Sequence, residues 1–237
     1  MENQEIYHIE SGVREVVITH RKGLDAEAPL LIDITGNIDS VFNWLNKRTE
    51  INDKGDSHII VNRDEMSILL VFNETDPHYQ GMVKGQLTYH PDFEKWKINE
   101  GKGWNHDELA EFIKMNRSCF KSKNDAMKLS GELKNLKIKV DKEVEASNDN
   151  RGNVKVLAAQ TVIDSSIPKS FMLNVSVFKG QEKQEFEVEV YVNPSTFQVT
   201  LVSPDANDIK DAVRDKAIDQ QINVIGGIAP NIAIIEQ

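Results

Sequence analysis

The side chains best suited to hold a divalent ion are Asp76, His78, His90 and His106, which fall in one loop-rich region of the chain. Such donors bind a metal only when they converge. Neither His-x-His nor His-Glu-x-x-His occurs, the patterns that set two imidazoles on one face of a strand or helix. We therefore assign no metal ligand, and His90 is read as capping a turn. Glu132-Leu133-Lys134 has the acidic-x-lysine form that in some nucleases holds a metal and activates water. Here it sits in a helical pattern without a preceding acidic strand, and such tripeptides arise by chance. Gly101-x-Gly103 lacks the third glycine of a dinucleotide-binding loop, and no Gly-x-x-x-x-Gly-Lys-(Ser/Thr) run occurs. Cys119 lies beside basic residues, which would lower a thiol pKa, but no histidine can be assigned as its partner. It is read as structural. A single cysteine also excludes an internal disulfide and a cysteine-rich zinc site. No catalytic residue and no cofactor are assigned.

Two stretches have the composition of a binding surface. From Lys114 to Lys142 basic residues outnumber Asp125, Glu132 and Asp141, and Lys121, Lys123, Lys128, Lys134, Lys137 and Lys139 are candidate phosphate contacts. Counterion release would give such contacts a salt-sensitive affinity. Phe120 is the only aromatic there, so base stacking has little support, and a lysine-rich solvated face needs no ligand. The formal net charge of −10 further opposes non-specific binding to nucleic acid or anionic lipid. The second stretch is the apolar tail, where Ile222, Val224, Ile225, Ile232 and Ile234 are candidate interaction residues. Gly226-Gly227 and Pro230 oppose a continuous helix and suit a strand, a bend and a short strand. This segment requires burial, by the sheet of its own lobe or, the favoured expectation, by a second copy of the chain.

The elements that must carry these residues follow from periodicity. Val16-Val17-Ile18 and Leu30-Leu31-Ile32 read as strands, and residues 38, 41, 42 and 45 form a helical stripe behind a capping Asn37. Ser57–Val61 and Met66–Phe72 are β-rich runs joined by a link short enough for a hairpin. Residues 73–81 are a polar surface loop before a strand from Met82 to Tyr89. Pro91 opens a short helix through Trp96, and Asn105 caps another through Met115, with Leu109, Phe112 and Ile113 inward. Ala126 to Leu136 has helical spacing weakened by Ser130-Gly131.

Beyond that point the pattern alternates. Leu136, Ile138 and Val140 predict a half-buried strand, followed by a turn at 148–152. Val154–Ile163, Phe171–Phe178, Glu185–Val192 and Thr196–Val202 complete an antiparallel sheet of about five strands, with Glu185, Glu187 and Glu189 on its wet face. A helix over 205–220, with Ile209, Val213, Ala217 and Ile218 as its stripe, covers that sheet. The expected class is α+β: a mixed N-terminal lobe with short helices (1–125), then an antiparallel β lobe with a C-terminal helix and apolar tail (126–237).

Composition agrees with a folded chain, since 39% of its 237 residues are hydrophobic and 28% charged. No stretch approaches the ~20 apolar residues of a membrane span, and the first ten residues lack the basic and apolar regions of a signal peptide. A reducing cytoplasm is the expected compartment, with no membrane partner.

Tyr89-His90-Pro91-Asp92-Phe93-Glu94-Lys95-Trp96, followed by Glu108-Leu109-Ala110-Glu111-Phe112-Ile113, resembles the YfdQ-like family of uncharacterised phage and prophage proteins. The order of elements that follows agrees with that family over most of the chain. The resemblance implies a phage or prophage origin, in the cytoplasm of a host bacterium, and brings no established activity. The resulting expectation is a non-enzymatic accessory protein acting through protein–protein contacts, as a homo-oligomer, by its β edges or its apolar tail. The alternative is a nucleic-acid-associated recombination or replication accessory using residues 114–142.

Overall fold

The computed structural model describes residues 12, 32–48, 56–76, 78–147, 166–193 and 196–237, with the backbone alone for 136–147. Nine strands and five α-helices lie in these residues and form an α+β fold with two sheets. The strands Val16-Val17-Ile18 and Val154–Ile163, and the turn at 148–152, lie outside the described residues.

The first sheet has the order β1-β4-β3-β2-β9. Its strands are β1 (Ile32–Asn37), β2 (His58–Asn62), β3 (Ser67–Phe72), β4 (Gly81–Gln86) and β9 (Ala233–Glu236). The expected hairpin joins β2 to β3 antiparallel, β4 continues antiparallel, and β1 and β9 add in parallel at the two ends. Alternation along each strand assigns its faces. Ile59, Val61, Ile68, Leu70, Phe72 and Val83 point to the core and are all nearly inaccessible. They pack on Val41 and Leu45 of α1 (Ser40–Lys47).

The second sheet has the order β5-β8-β7-β6. It consists of β5 (Trp104–Asn105), β6 (Ser170–Ser176), β7 (Lys183–Val192) and β8 (Gln198–Val202), all antiparallel. Three of the five expected strands are therefore present, and Trp104–Asn105 supplies a fourth that alternation was too short to reveal. Phe186 and Val188 are buried, whereas Glu185, Glu187 and Glu189 are exposed, as the alternation requires.

The helices are set by their caps. His90 Nδ1 accepts from the Asp92 amide at the start of α2 (Pro91–Glu94), and Pro91 fills the first helical position. Asn105 accepts from the Asp107 amide at the start of α3 (His106–Met115), burying Leu109, Ala110 and Ile113. The cap of α1 is Asp39 rather than Asn37, and its carboxylate accepts from the Asn43 side chain instead of a helix amide.

Two long helices replace expected sheet or tail structure. The helix α4 (Lys123–Ser147) runs through the segment 136–140 that was predicted as a strand. Ala126, Leu129, Leu133, Leu136 and Val140 recur at spacings of three and four, so the short alternation is one part of a longer helical stripe. The helix α5 (Pro204–Ile228) extends eight residues past the predicted end, through Gly226-Gly227. Glycine weakens a helix by about 1 kcal/mol without forbidding it, and the buried Ile225 anchors this turn. Ser203 caps α5 by accepting from the Ala206 amide, while its hydroxyl donates to the Glu187 carbonyl of β7 at 2.5 Å. Likewise the strand expected from Met82 to Tyr89 ends at Gln86, leaving Tyr89 in an isolated bridge to Phe178.

Each core draws on both halves of the chain. The first contains residues of α1 and the first sheet together with Val177, Phe178, Val213, Ala217, Ile218, Ile225 and Ile232. The second joins Trp96, Trp104, Leu109, Ile113 and Phe120 to Leu129, Leu133, Leu173, Phe186 and Leu201. The second core takes side chains from both sides of residue 125, among them Phe120 and Ala126. Similarly, α5 packs on the second core near its start, through Ala206 and Ile209, and then crosses to the first core.

Candidate functional site

The face of the first sheet opposite α1 carries several apolar side chains beside His58 and Lys84. Register sets Lys84, Leu69, Ile60 and Ile235 in one row across β4, β3, β2 and β9, and Met82, Val71, His58 and Ala233 in the next. Ile60 and Leu69 are half-buried and Ile235, at the β9 end of their row, is 48% exposed, while in the next row Val71 is buried and Met82 is 40% exposed. The reason lies in β3, whose run Ile68-Leu69-Leu70-Val71-Phe72 is apolar at every position, the pattern of a strand buried on both faces. That run is the signal by which sequence reasoning could have found the row.

The strand β9 ends the sheet, so one edge of its backbone has no strand neighbour among the described residues. It is fastened from the other side. Arg63, in the β2–β3 turn, donates to Glu236 of β9 at 3.2 Å and to Asp219 of α5 at 2.7 Å, and lies 3.6 Å from Asp215. The hydrogen bonds to Glu236 and Asp219 push the guanidinium pKa further up, so Arg63 stays charged. Arg214 donates to Asp215 at 2.9 Å and holds that carboxyl below the usual carboxylate range.

The tail residues divide. Ile225 and Ile232 are buried in the chain's own first core, and Ile222 and Ile234 pack against it. Val224 is 37% exposed. The tail forms a helix end and one strand, correcting the expected strand, bend and strand. The sheet it joins is that of the N-terminal lobe, not the β lobe in which the sequence placed it.

The basic candidates lie along one helix instead of a helix and a strand. Lys121 precedes α4 and pairs with Glu185 at 2.7 Å, Lys123 opens α4, and Lys128 and Lys134 follow on it. Lys137 and Lys139, expected together on one strand face, occupy helix positions about 200° apart around the axis.

Among the described residues no group of three or more His, Cys, Asp or Glu is placed to hold a metal. Asp76 accepts from the His78 amide, His90 caps α2, and His106 opens α3. Glu132 accepts from the Ser166 hydroxyl. Cys119 is buried. Lys102 of the Gly101-x-Gly103 turn lies 3.3 Å from the centre of the Trp104 ring, a cation–π contact.

Two concavities accompany these features. One, of about 490 Å³, lies between the start of α1, the β6–β7 turn and α5, and is lined by polar groups such as Asp39, Lys179, Gln184 and Gln221. The other, of about 380 Å³, lies between α2 and α5 and includes Tyr89 and Phe93. No helix among the described residues is long and apolar enough to cross a membrane.

Among the described residues, fold and surface define an α+β protein whose first sheet carries a largely apolar outer face and ends at β9. Residues 34–225 match the model of DUF2303, described as an uncharacterized conserved protein, and the chain belongs to that family. Neither a curated protein nor a solved structure gives a significant match.

Proposed function

We propose that this protein acts through protein–protein contacts rather than catalysis, and that its first contact is with a second copy of itself through β9. The carrying observation is the row Leu69, Ile60 and Ile235, which ends at the exposed Ile235 beside the edge of β9 that has no strand neighbour among the described residues. Two such edges meeting antiparallel about a two-fold axis satisfy each other's backbone groups, and the same axis joins the two apolar rows at Ile235. Shielding that row removes apolar surface from water at about 25 cal/mol per Å². The likeness of residues 89–113 to YfdQ-like sequences supports a phage or prophage accessory role in a host cytoplasm, where the assembled dimer would present its remaining surface to other proteins.

Cysteine cross-linking tests the pairing. Cys119 is buried, so Ile235→Cys places a single accessible thiol at the proposed axis. Oxidation of the full-length variant is expected to give a covalent dimer at low protein concentration. Met115→Cys, at a position 82% exposed on α3, serves as control and stays monomeric. Equal cross-linking at both positions contradicts the pairing.

A further inference from the structure

The cavity between α2 and α5 is built from the most distinctive motif in the chain, and its lining is chemically mixed in a particular way. Tyr89 and Phe93 form an aromatic wall. Their rings stack with centroids 6.0 Å apart, and Tyr89 stacks in turn on the buried Phe178 at 4.9 Å. Both wall residues are half-buried, so each keeps part of its ring accessible.

The rim is a tight turn over residues 97–101. Lys97, Asn99 and Gly101 have φ values of 53°, 61° and 70°, in the left-handed region that costs energy for residues other than glycine. Asn99 is held there from four directions. Its amide donates to the Leu201 carbonyl, its Oδ1 accepts from the Ser203 amide at 2.9 Å, and its Nδ2 donates to Ser203 O at 2.7 Å and to Asn207 Oδ1 at 3.2 Å. The turn is thereby pinned to the start of α5, and Asn207 and Lys210, three residues apart on that helix, share the face that lines the cavity.

The charges at this cavity are only partly paired with one another. Glu100 pairs with Lys97 at 3.3 Å. Glu94 and Lys210 both line the cavity, and neither has an ion pair among the described residues. An unpaired carboxylate, an unpaired ammonium, two carboxamides and an aromatic wall complement a small zwitterion with a flat apolar side group. A phosphate-bearing ligand would meet Glu94 and Glu100, and a purely apolar one would strand both charges.

We infer that this cavity binds an aromatic α-amino acid, its ammonium on Glu94, its carboxylate on Lys210 and its ring against Tyr89 and Phe93. The cavity volume of about 380 Å³ lies within the range of small-molecule sites. This site is independent of the β9 contact.

Titration calorimetry on the full chain tests it with free L-tryptophan and three relatives that each lack one feature. These are N-acetyl-L-tryptophan, without the ammonium; L-tryptophan amide, without the carboxylate; and L-alanine, without the ring. Saturable binding of tryptophan is expected, with each relative weaker by about tenfold or more. In Glu94→Gln the preference over the N-acetyl compound should vanish while that over the amide remains. In Lys210→Gln the reverse should hold. Glu94 is exposed and Lys210 half-buried outside both cores, so both variants are expected to fold, as far-ultraviolet circular dichroism checks. Absence of binding at millimolar tryptophan, or equal affinity for all four compounds, overturns the assignment.

Discussion

The two sheets are finished in opposite ways. On β7 of the second sheet Phe186 and Val188 turn inward while Glu185, Glu187 and Glu189 turn to water, so solvent completes that face. On the first sheet the corresponding face carries Met82, Val71, Leu69, Ile60 and Ile235, with His58 and Lys84 set among them. Strict alternation builds a face that water can cover. A run of five apolar residues, as in β3, builds two faces that both need protein. The difference is the reason the proposed interaction surface is put on the first sheet, although the second has the two longest strands.

The largest test separates the buried tail from the exposed tail. Ile232→Ala is expected to cost about 3 kcal/mol, because Ile232 is 5% exposed within the first core. Ile235→Ala should cost under about 1 kcal/mol in a monomer, since that side chain is 48% exposed. Urea unfolding measures both, and equal costs would erase the distinction between the buried and the exposed side chains of the tail.

A smaller effect comes from making the second sheet resemble the first. Replacing Glu185, Glu187 and Glu189 together by Val should create dye-binding apolar surface and new association, with a modest stability change. Part of that change comes from losing the Ser170 hydroxyl bond to Glu187, 2.5 Å long. If the triple variant stays as soluble and monodisperse as its parent, outer-face polarity does not govern association.

The smallest effect concerns the α5 corner beside β9. Arg214 holds the Asp215 carboxyl below its usual range, so this contribution is present above about pH 4 and fades as pH falls through the lower folded value. Arg214→Gln should therefore lower stability by under about 1 kcal/mol at neutral pH, since Asp215 is 43% exposed. The gap from the parent should close in acid. A gap that persists at pH 2 would mean that Arg214 acts through packing alone.

Much of this fold was legible in the residues. Pro91, Asn105 and Ser203-Pro204 mark helix starts with local hydrogen bonds that need no tertiary context, and all three open helices. The alternation in β6 and β7 is long enough to be unambiguous. By contrast, Leu136, Ile138 and Val140 satisfy a period of two over five residues and a helical period over a longer window, and the longer pattern prevailed. Gly226-Gly227 suggested a break, but burial of Ile225 in the core outweighed their low helix propensity. The apolar tail was recognised as needing burial. Its destination was not, because pairing β9 with β2 joins residues far apart in the chain, which no local pattern encodes. The cavity at Tyr89 and Phe93 was likewise hidden, since Asn207 and Lys210 reach it from α5.

The central claim, self-association through β9 and the outer face of the first sheet, is tested most directly by light scattering across a range of protein concentrations. The account predicts a mass rising from 26.8 kDa toward twice that value for the parent chain, and a mass held at 26.8 kDa for Ile235→Glu with unchanged thermal stability of the monomer. A parent chain that stays at 26.8 kDa up to millimolar concentration, or an Ile235→Glu variant that associates as the parent does, would contradict it.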